Sequence, residues 1–219
     1  MLSQRSNLMV RAMSDDLYND ARWLVGAIAR GLHARGGFPV DDVLQRLAEQ
    51  DLTRGDFVEP RAQNISVTRY FAQSIAETMM LEPELAAAIA SLDGHFKWLQ
   101  SKSNTAEILG ANFLENYGWC EIIGPQGFFS GDDFLLGLLV LGPDCHYKDH
   151  YHPAPELYWP LTGPTYWKQG QGKFELKAPG DIIWHAPDVL HATKTASQPM
   201  LAVWSWTKDT RTPAKLVEA

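Results

Sequence analysis

Cysteine is scarce: Cys120 and Cys145 are the only two in 219 residues. Two thiols build no disulfide framework, and a reducing compartment is the simpler setting for such a chain. Long hydrophobic runs are missing as well. The most apolar stretch, Phe134-Leu-Leu-Gly-Leu-Leu-Val-Leu141, suits a buried strand and is far too short to cross a bilayer as a helix. Residues 1–13 hold no continuous apolar core of the kind a secretory signal carries, so a cytoplasmic protein is expected. Positive charge is also in short supply: 19 Lys and Arg against 26 Asp and Glu leave a net charge of −7. Nucleic acid wants a basic surface, which argues against it as the main partner, and a small-molecule substrate stays open. No internal repeat or low-complexity segment occurs. What is left, 45% apolar and 21% charged residues, is an ordinary globular composition.

The first half reads as helix. Leu17, Ala21, Leu24, Ile28 and Leu32 recur at three- and four-residue steps behind Asp15 and Asp16, which can cap such a segment. Gly36-Gly37 stops it. A shorter helix is expected over residues 41–50. A longer one is expected over residues 62–81, with Ile65, Thr68, Ala72, Ile75 and Met79 as its apolar stripe. Pro83 opens another that reaches toward Leu99. Residues 101–105 read as a loop. None of these helices carries a catalytic motif, so their expected role is to cover a sheet or to form a dimer interface.

From Gly118 the texture changes. Short apolar or alternating runs follow one another at 119–123, 134–141, 157–161, 165–168, 173–176, 182–184, 189–193 and 201–206, separated by turns such as Gly124-Pro125, Gly142-Pro143, Gly163-Pro164 and Pro179-Gly180. Many short strands with evenly spaced Gly/Pro turns predict a β-sandwich or barrel. The chain therefore divides into a helical N-terminal part, residues 1–109, and a β part, residues 110–219, making an α+β protein that is mainly β.

Five of the seven histidines fall between 146 and 191. His150 and His152 share one face of an extended strand. The prolines at 153 and 155 mark a bend, after which Glu156 and Tyr158 again share a face. His191 answers them from the segment that begins Pro179-Gly180-Asp181. Three imidazoles and one carboxylate suit a single divalent metal ion such as zinc, iron(II), manganese or nickel. His146 and His185 fit this set less well and read as outer or surface groups. Tyr147 stands three residues before His150, so a regular strand would point it away, and only a bulge or loop would bring it to the site.

These two segments resemble the paired motifs of the cupins: His150-x-His152, Glu156 and Gly163 in the first, Pro179-Gly180-Asp181 through His191 in the second. The resemblance implies an antiparallel jelly-roll β-barrel over about residues 110–210, preceded by several helices, with His150, His152, Glu156 and His191 as metal ligands. The longer string His-x-His-x-x-x-Glu-x-Tyr, with Tyr147 just upstream, is similar to the cupin-type dimethylsulfoniopropionate (DMSP) lyases of the DddL and DddQ group. That likeness implies cleavage of DMSP to dimethyl sulfide and acrylate, Tyr158 and Tyr147 as tyrosines near the metal with one of them the base, and Trp206 as a substrate-binding ring.

The residues can support that chemistry. A sulfonium is well held by aromatic faces, and six of the eight tryptophans lie in the strand-rich half. Two other readings of a cupin site stay open at this point: an iron(II) dioxygenase acting on a small thiol or diketone, and a non-catalytic small-ligand binder with the helical part used for assembly as a homodimer.

Overall fold

A computed structural model describes residues 2–217, with side chains from Asp16 onward. The sequence reading of residues 1–13 therefore concerns side chains outside the described residues. The helices are α1 (Leu2–His33), α2 (Val40–Ala48), α3 (Phe71–Thr78), α4 (Pro83–Ser91), α5 (Ala106–Leu109) and α6 (Ala111–Glu115), with a 3₁₀ turn at Ser66–Tyr70 leading into α3. The strands are β1 (Tyr117–Ile123), β2 (Leu135–Leu141), β3 (His146–Tyr151), β4 (Glu156–Pro160), β5 (Thr165–Gln169), β6 (Glu175–Lys177), β7 (Ile183–His185), β8 (His191–Thr195), β9 (Met200–Trp206) and β10 (Lys215–Leu216). They form two five-stranded sheets, ordered β1-β2-β9-β4-β7 and β10-β3-β8-β5-β6, with antiparallel pairing throughout. This is the cupin-type barrel behind a helical region that the motifs implied.

The first sheet has two buried faces, because the helices cover one and the barrel interior lies against the other. Alternation along each strand sorts the side chains. On β2, Leu136, Leu138 and Val140 join the helix-side core, while Leu135, Leu139 and Leu141 point into the barrel. On β4, Leu157 and Trp159 face the helices and Tyr158 the barrel; on β9, Leu201 and Val203 face out and Ala202 and Trp204 in. This double burial explains why the run from Phe134 to Leu141 is apolar without a break. The expected stripe of α1 (Leu17, Ala21, Leu24, Ile28, Leu32) is buried against the same sheet, and Gly31 packs so closely that a methyl group there would overlap the Trp159 ring.

Three helical expectations need correction. Helix α1 begins at Leu2, so Asp16 lies inside it rather than at its start, and the side chain of Asp15 is outside the described residues. Residues 62–65 are not helical: Gln63 bridges to Lys97, and Ile65 and Val67 press onto Gly118 of β1. β-Branched side chains with a sheet edge to join prefer that pairing to a helix. Helix α4 stops at Ser91, well short of Leu99, because Gly94 takes φ +84° and Leu99 then pairs with Trp119. The helical turns also continue to Glu115, past residue 109. None of the described helices is long and apolar enough to cross a membrane.

One glycine positions the interior. Gly137 sits between Glu121 on β1 and Trp204 on β9. A Cβ there would overlap the carbonyl oxygen of Cys120 and lie 2.7 Å from Trp204 Nε1. Gly137→Ala is expected to destabilise the protein by about 2–3 kcal/mol, the cost of overpacking against backbone, read as a lower denaturation midpoint. An unchanged midpoint would mean that β2 can shift without cost.

Candidate metal centre and active site

The two sheets bring the sequence-predicted residues to one end of the barrel. Tyr147 and His150 lie on β3, His152 just beyond it, Glu156 and Tyr158 on β4, His191 at the start of β8 and Trp206 at the end of β9. His150 and His191 are direct cross-strand partners, as are Glu156 and Trp206. His150, His152, Glu156 and His191 are each only 2–3% exposed.

Three of these four converge. The ligand atoms of His152, Glu156 and His191 all lie within 4.8 Å of one another. Glu156 Oε2 is 3.1 Å from His152 Nε2 and 3.3 Å from His191 Nε2, and its Oε1 accepts a 2.7 Å hydrogen bond from Trp206 Nε1. His150 stays outside this trio. Its ring stacks on Tyr147 at 3.8 Å and meets His191 edge-on at 4.1 Å.

The backbone fixes every imidazole in the same sense. Nδ1 of His150 is 2.8 Å from the Lys148 carbonyl, Nδ1 of His152 is 2.8 Å from that of Ala154, and Nδ1 of His191 is 2.8 Å from that of Val189. A carbonyl only accepts, so Nδ1 carries the proton in each ring and Nε2 is free to bind. Metal-binding histidines are oriented by such contacts. His191 Nε2, moreover, is buried without a well-formed hydrogen bond. An orphaned imidazole nitrogen beside a buried carboxylate and a second imidazole fits a divalent cation, and these three residues could hold one.

Electrostatics point the same way. Burial alone would push the Glu156 carboxyl up, but His152 and His191 outweigh it and hold the group well below the usual carboxylate range. Burial lowers His152, yet Glu156 more than compensates and raises it. His150 is driven well below its ordinary value by burial and by His191. Burial pushes the phenols of Tyr158 and Tyr117 well above 10, helped by the charge of Glu156, and raises Tyr147.

The centre opens into a cavity of about 220 Å³ whose lining includes Tyr117, Trp119, Glu121, Tyr147, Tyr158, Trp204 and Trp206. Tyr147 reaches it because β3 shifts register between Tyr147 and His150, the bulge that its spacing demanded. Trp206 is present but doubly engaged, bonded to Glu156 and packed at a tilt on His152 with ring centroids 4.3 Å apart. His146 lies at the surface against Phe174. His185 is fully buried and stacks on His191 at 4.0 Å; burial and then the His191 charge bring its pKa down to about 3.

Sequence reasoning missed Trp204, Glu121 and the C-terminal strap. Thr210, Arg211, Pro213 and Ala214 line the cavity from that strap, which β10 pairs to β3 and which Asp133 holds through Thr210 N at 3.0 Å and Asp209 N at 3.1 Å. Tyr117, Trp119 and Glu121 alternate along β1, and that periodicity would have placed Glu121 inside had the strand been started at Tyr117.

Residues 40–202 match the profile of a family described as dimethylsulfoniopropionate lyase. Over 105 residues the chain is 31% identical to dimethylsulfoniopropionate lyase DddQ of Ruegeria pomeroyi, a match covering 48% of this chain and 52% of that protein. The chain thus spans about half the length of that curated relative. A chain from the crystal structures of DMSP lyases RdDddP and RnDddQII superposes with a TM-score of 0.69 at 21% identity, covering 91% of this chain and 98% of the other. The crystal structure of DMSP lyase DddQ from Ruegeria pomeroyi DSS-3 gives 0.65 at 21% identity, covering 91% and 96%. At such identity the superpositions speak for a shared fold.

Proposed function

The chain belongs to the dimethylsulfoniopropionate lyase family, and from that premise we propose that it cleaves DMSP to dimethyl sulfide and acrylate by β-elimination, with one divalent metal ion held by His150, His152, Glu156 and His191. One observation carries the reading. The buried trio of His152, Glu156 and His191 opens into a cavity that also receives three phenols and three indoles. Such a site can take a carboxylate at one end and a sulfonium among aromatic rings.

The elimination needs a base at the carbon beside the substrate carboxylate. As that carbon loses its proton, the electron pair left behind forms the new carbon–carbon double bond. The carbon–sulfur bond breaks, and dimethyl sulfide leaves as a neutral molecule. Tyr158 shares the inward face of β4 with Glu156, so its phenolic oxygen is the acceptor of that proton. Tyr147, anchored by its stack on His150, orients the substrate from the opposite sheet. A buried phenol with a pKa well above 10 is no base by itself. A divalent ion in the trio would supply the positive charge that favours the phenolate and stabilises the charge developing on the substrate carboxylate. The low exposure of the surrounding side chains keeps water away and strengthens each of these interactions.

The test is headspace chromatography under anaerobic conditions, on metal-loaded protein and on protein stripped by chelator. Dimethyl sulfide and acrylate in equal amounts, dependent on metal, are expected. No sulfide with zinc, iron(II), manganese or nickel would sink the substrate assignment.

A further inference from the structure

We propose that Glu121 is a specificity-determining residue of this cavity: its carboxylate receives the positively charged end of the substrate and selects a compact onium cation over a neutral group of the same shape. The inference rests on the lyase reading only for the orientation, with the substrate carboxylate at the histidines.

Glu121 is an inward-facing carboxylate in a cavity lined by aromatic rings, by Leu135 and Leu139, and by the strap that carries Arg211. It follows Tyr117 and Trp119 on the cavity side of β1, is 6% exposed, and contributes to the same cavity as the trio. The sheet register sets its neighbours. Glu121 pairs with Gly137, Gly137 with Trp204, and Trp204 with Tyr158. No side chain rises at Gly137, so the Trp204 indole lies over that glycine toward Glu121. Trp119 and Trp204 meet edge to face at 5.9 Å, and Trp204 and Trp206 at 6.1 Å. An aromatic wall therefore runs between two buried carboxylates, Glu156 and Glu121. Their strands are three steps apart in the sheet, about 14 Å, a span that two glutamate side chains and a short zwitterion between them can bridge.

Turn capping uses only part of this carboxylate. Oε2 accepts the Gln126 N–H at 2.6 Å, whereas among the described residues Oε1 makes no hydrogen bond. Lys97 acts on Glu121 through its charge, but its ammonium donates its hydrogen bond to Gln126 Oε1. Burial pushes the Glu121 carboxyl up, as expected where the anion lacks full compensation. A ligand cation would provide that compensation, and in this low-dielectric setting the attraction is far stronger than in water. The rings also favour a cation, so the share of the charge preference that belongs to Glu121 is the part its substitution removes.

The test uses metal-loaded full-length protein and two probes of one shape, 3-(trimethylammonio)propionate and 4,4-dimethylpentanoate, which differ in charge and cannot release dimethyl sulfide. Binding is read by quenching of tryptophan fluorescence. Wild type is expected to prefer the cationic probe by about tenfold or more, the range for a hydrogen-bonded or paired charge. Glu121→Gln, which keeps an acceptor for Gln126, is expected to lose most of that preference while binding the neutral probe as before. Glu121→Asp is expected to regain part of it, and KM for DMSP in Glu121→Gln should rise more than kcat falls. The same preference in wild type and Glu121→Gln would overturn the proposal and leave Glu121 as a turn cap, as would a wild type that does not distinguish the probes. A wild type that releases no dimethyl sulfide but shows a preference lost in Glu121→Gln would sink the lyase reading and uphold the role of Glu121.

Discussion

Replacing Tyr158 by phenylalanine is expected to lower dimethyl sulfide release by roughly 10²–10⁴-fold, the usual contribution of a positioned general base, with metal content and thermal midpoint close to those of wild type. The structure explains why the two effects separate. The Tyr158 ring is buried, packs on Trp167 at 4.8 Å and meets His185 at 6.0 Å, and phenylalanine retains those contacts. Only the hydroxyl goes, and burial together with the Glu156 charge makes that group hard to ionise. Its loss should cost little folding energy and most of the reaction. Tyr147→Phe is the companion measurement. The Tyr147 ring holds His150 by stacking and meets Tyr117 at 5.0 Å, contacts that phenylalanine also preserves. A smaller loss in kcat at 147 than at 158 would match the assigned roles. Full activity in Tyr158→Phe would move the base to Tyr147.

The β half was legible because its pattern and its chemistry agree. Alternation assigned Glu156 and Tyr158 to one face, and they share it. The same logic showed that Tyr147 needs an irregular strand, and β3 has a register shift at that point. Double burial hid other information. When both faces of a strand are apolar, as in β2, sequence does not tell which leucines line the cavity and which pack under α1. Trp204 disappeared into the core for that reason. The helical half misled at residues 62–65 and 92–99 because their partners are distant in sequence: Gln63 finds Lys97, and Leu99 finds Trp119. Local periodicity carries no record of such pairings. His185 shows the limit from the other side. Histidine is often a surface residue, and only the register that sets it opposite Glu156 reveals that it is fully buried against His191.

Glu156→Gln is expected to remove the metal dependence of thermal stability. The Glu156 carboxylate faces two imidazole nitrogens at 3.1 and 3.3 Å and holds His152 above its ordinary pKa. A metal ion at this position competes with protons for the same imidazole nitrogens. In wild type, metal at a hundred times its dissociation constant adds about 2.7 kcal/mol of stability, which for a chain of this length raises the thermal midpoint by about 5–10 °C. The amide removes the negative charge that compensates the ion, although its oxygen can still accept from Trp206 Nε1. An affinity loss of about 100-fold or more is expected, above what an outer partner of a ligand contributes, so the shift in midpoint should nearly vanish at the same metal concentration. Calorimetric scans of both proteins with and without metal decide the matter, and they need no substrate. An equal shift in both would remove Glu156 from the ligands and assign the ion to His150, His152 and His191.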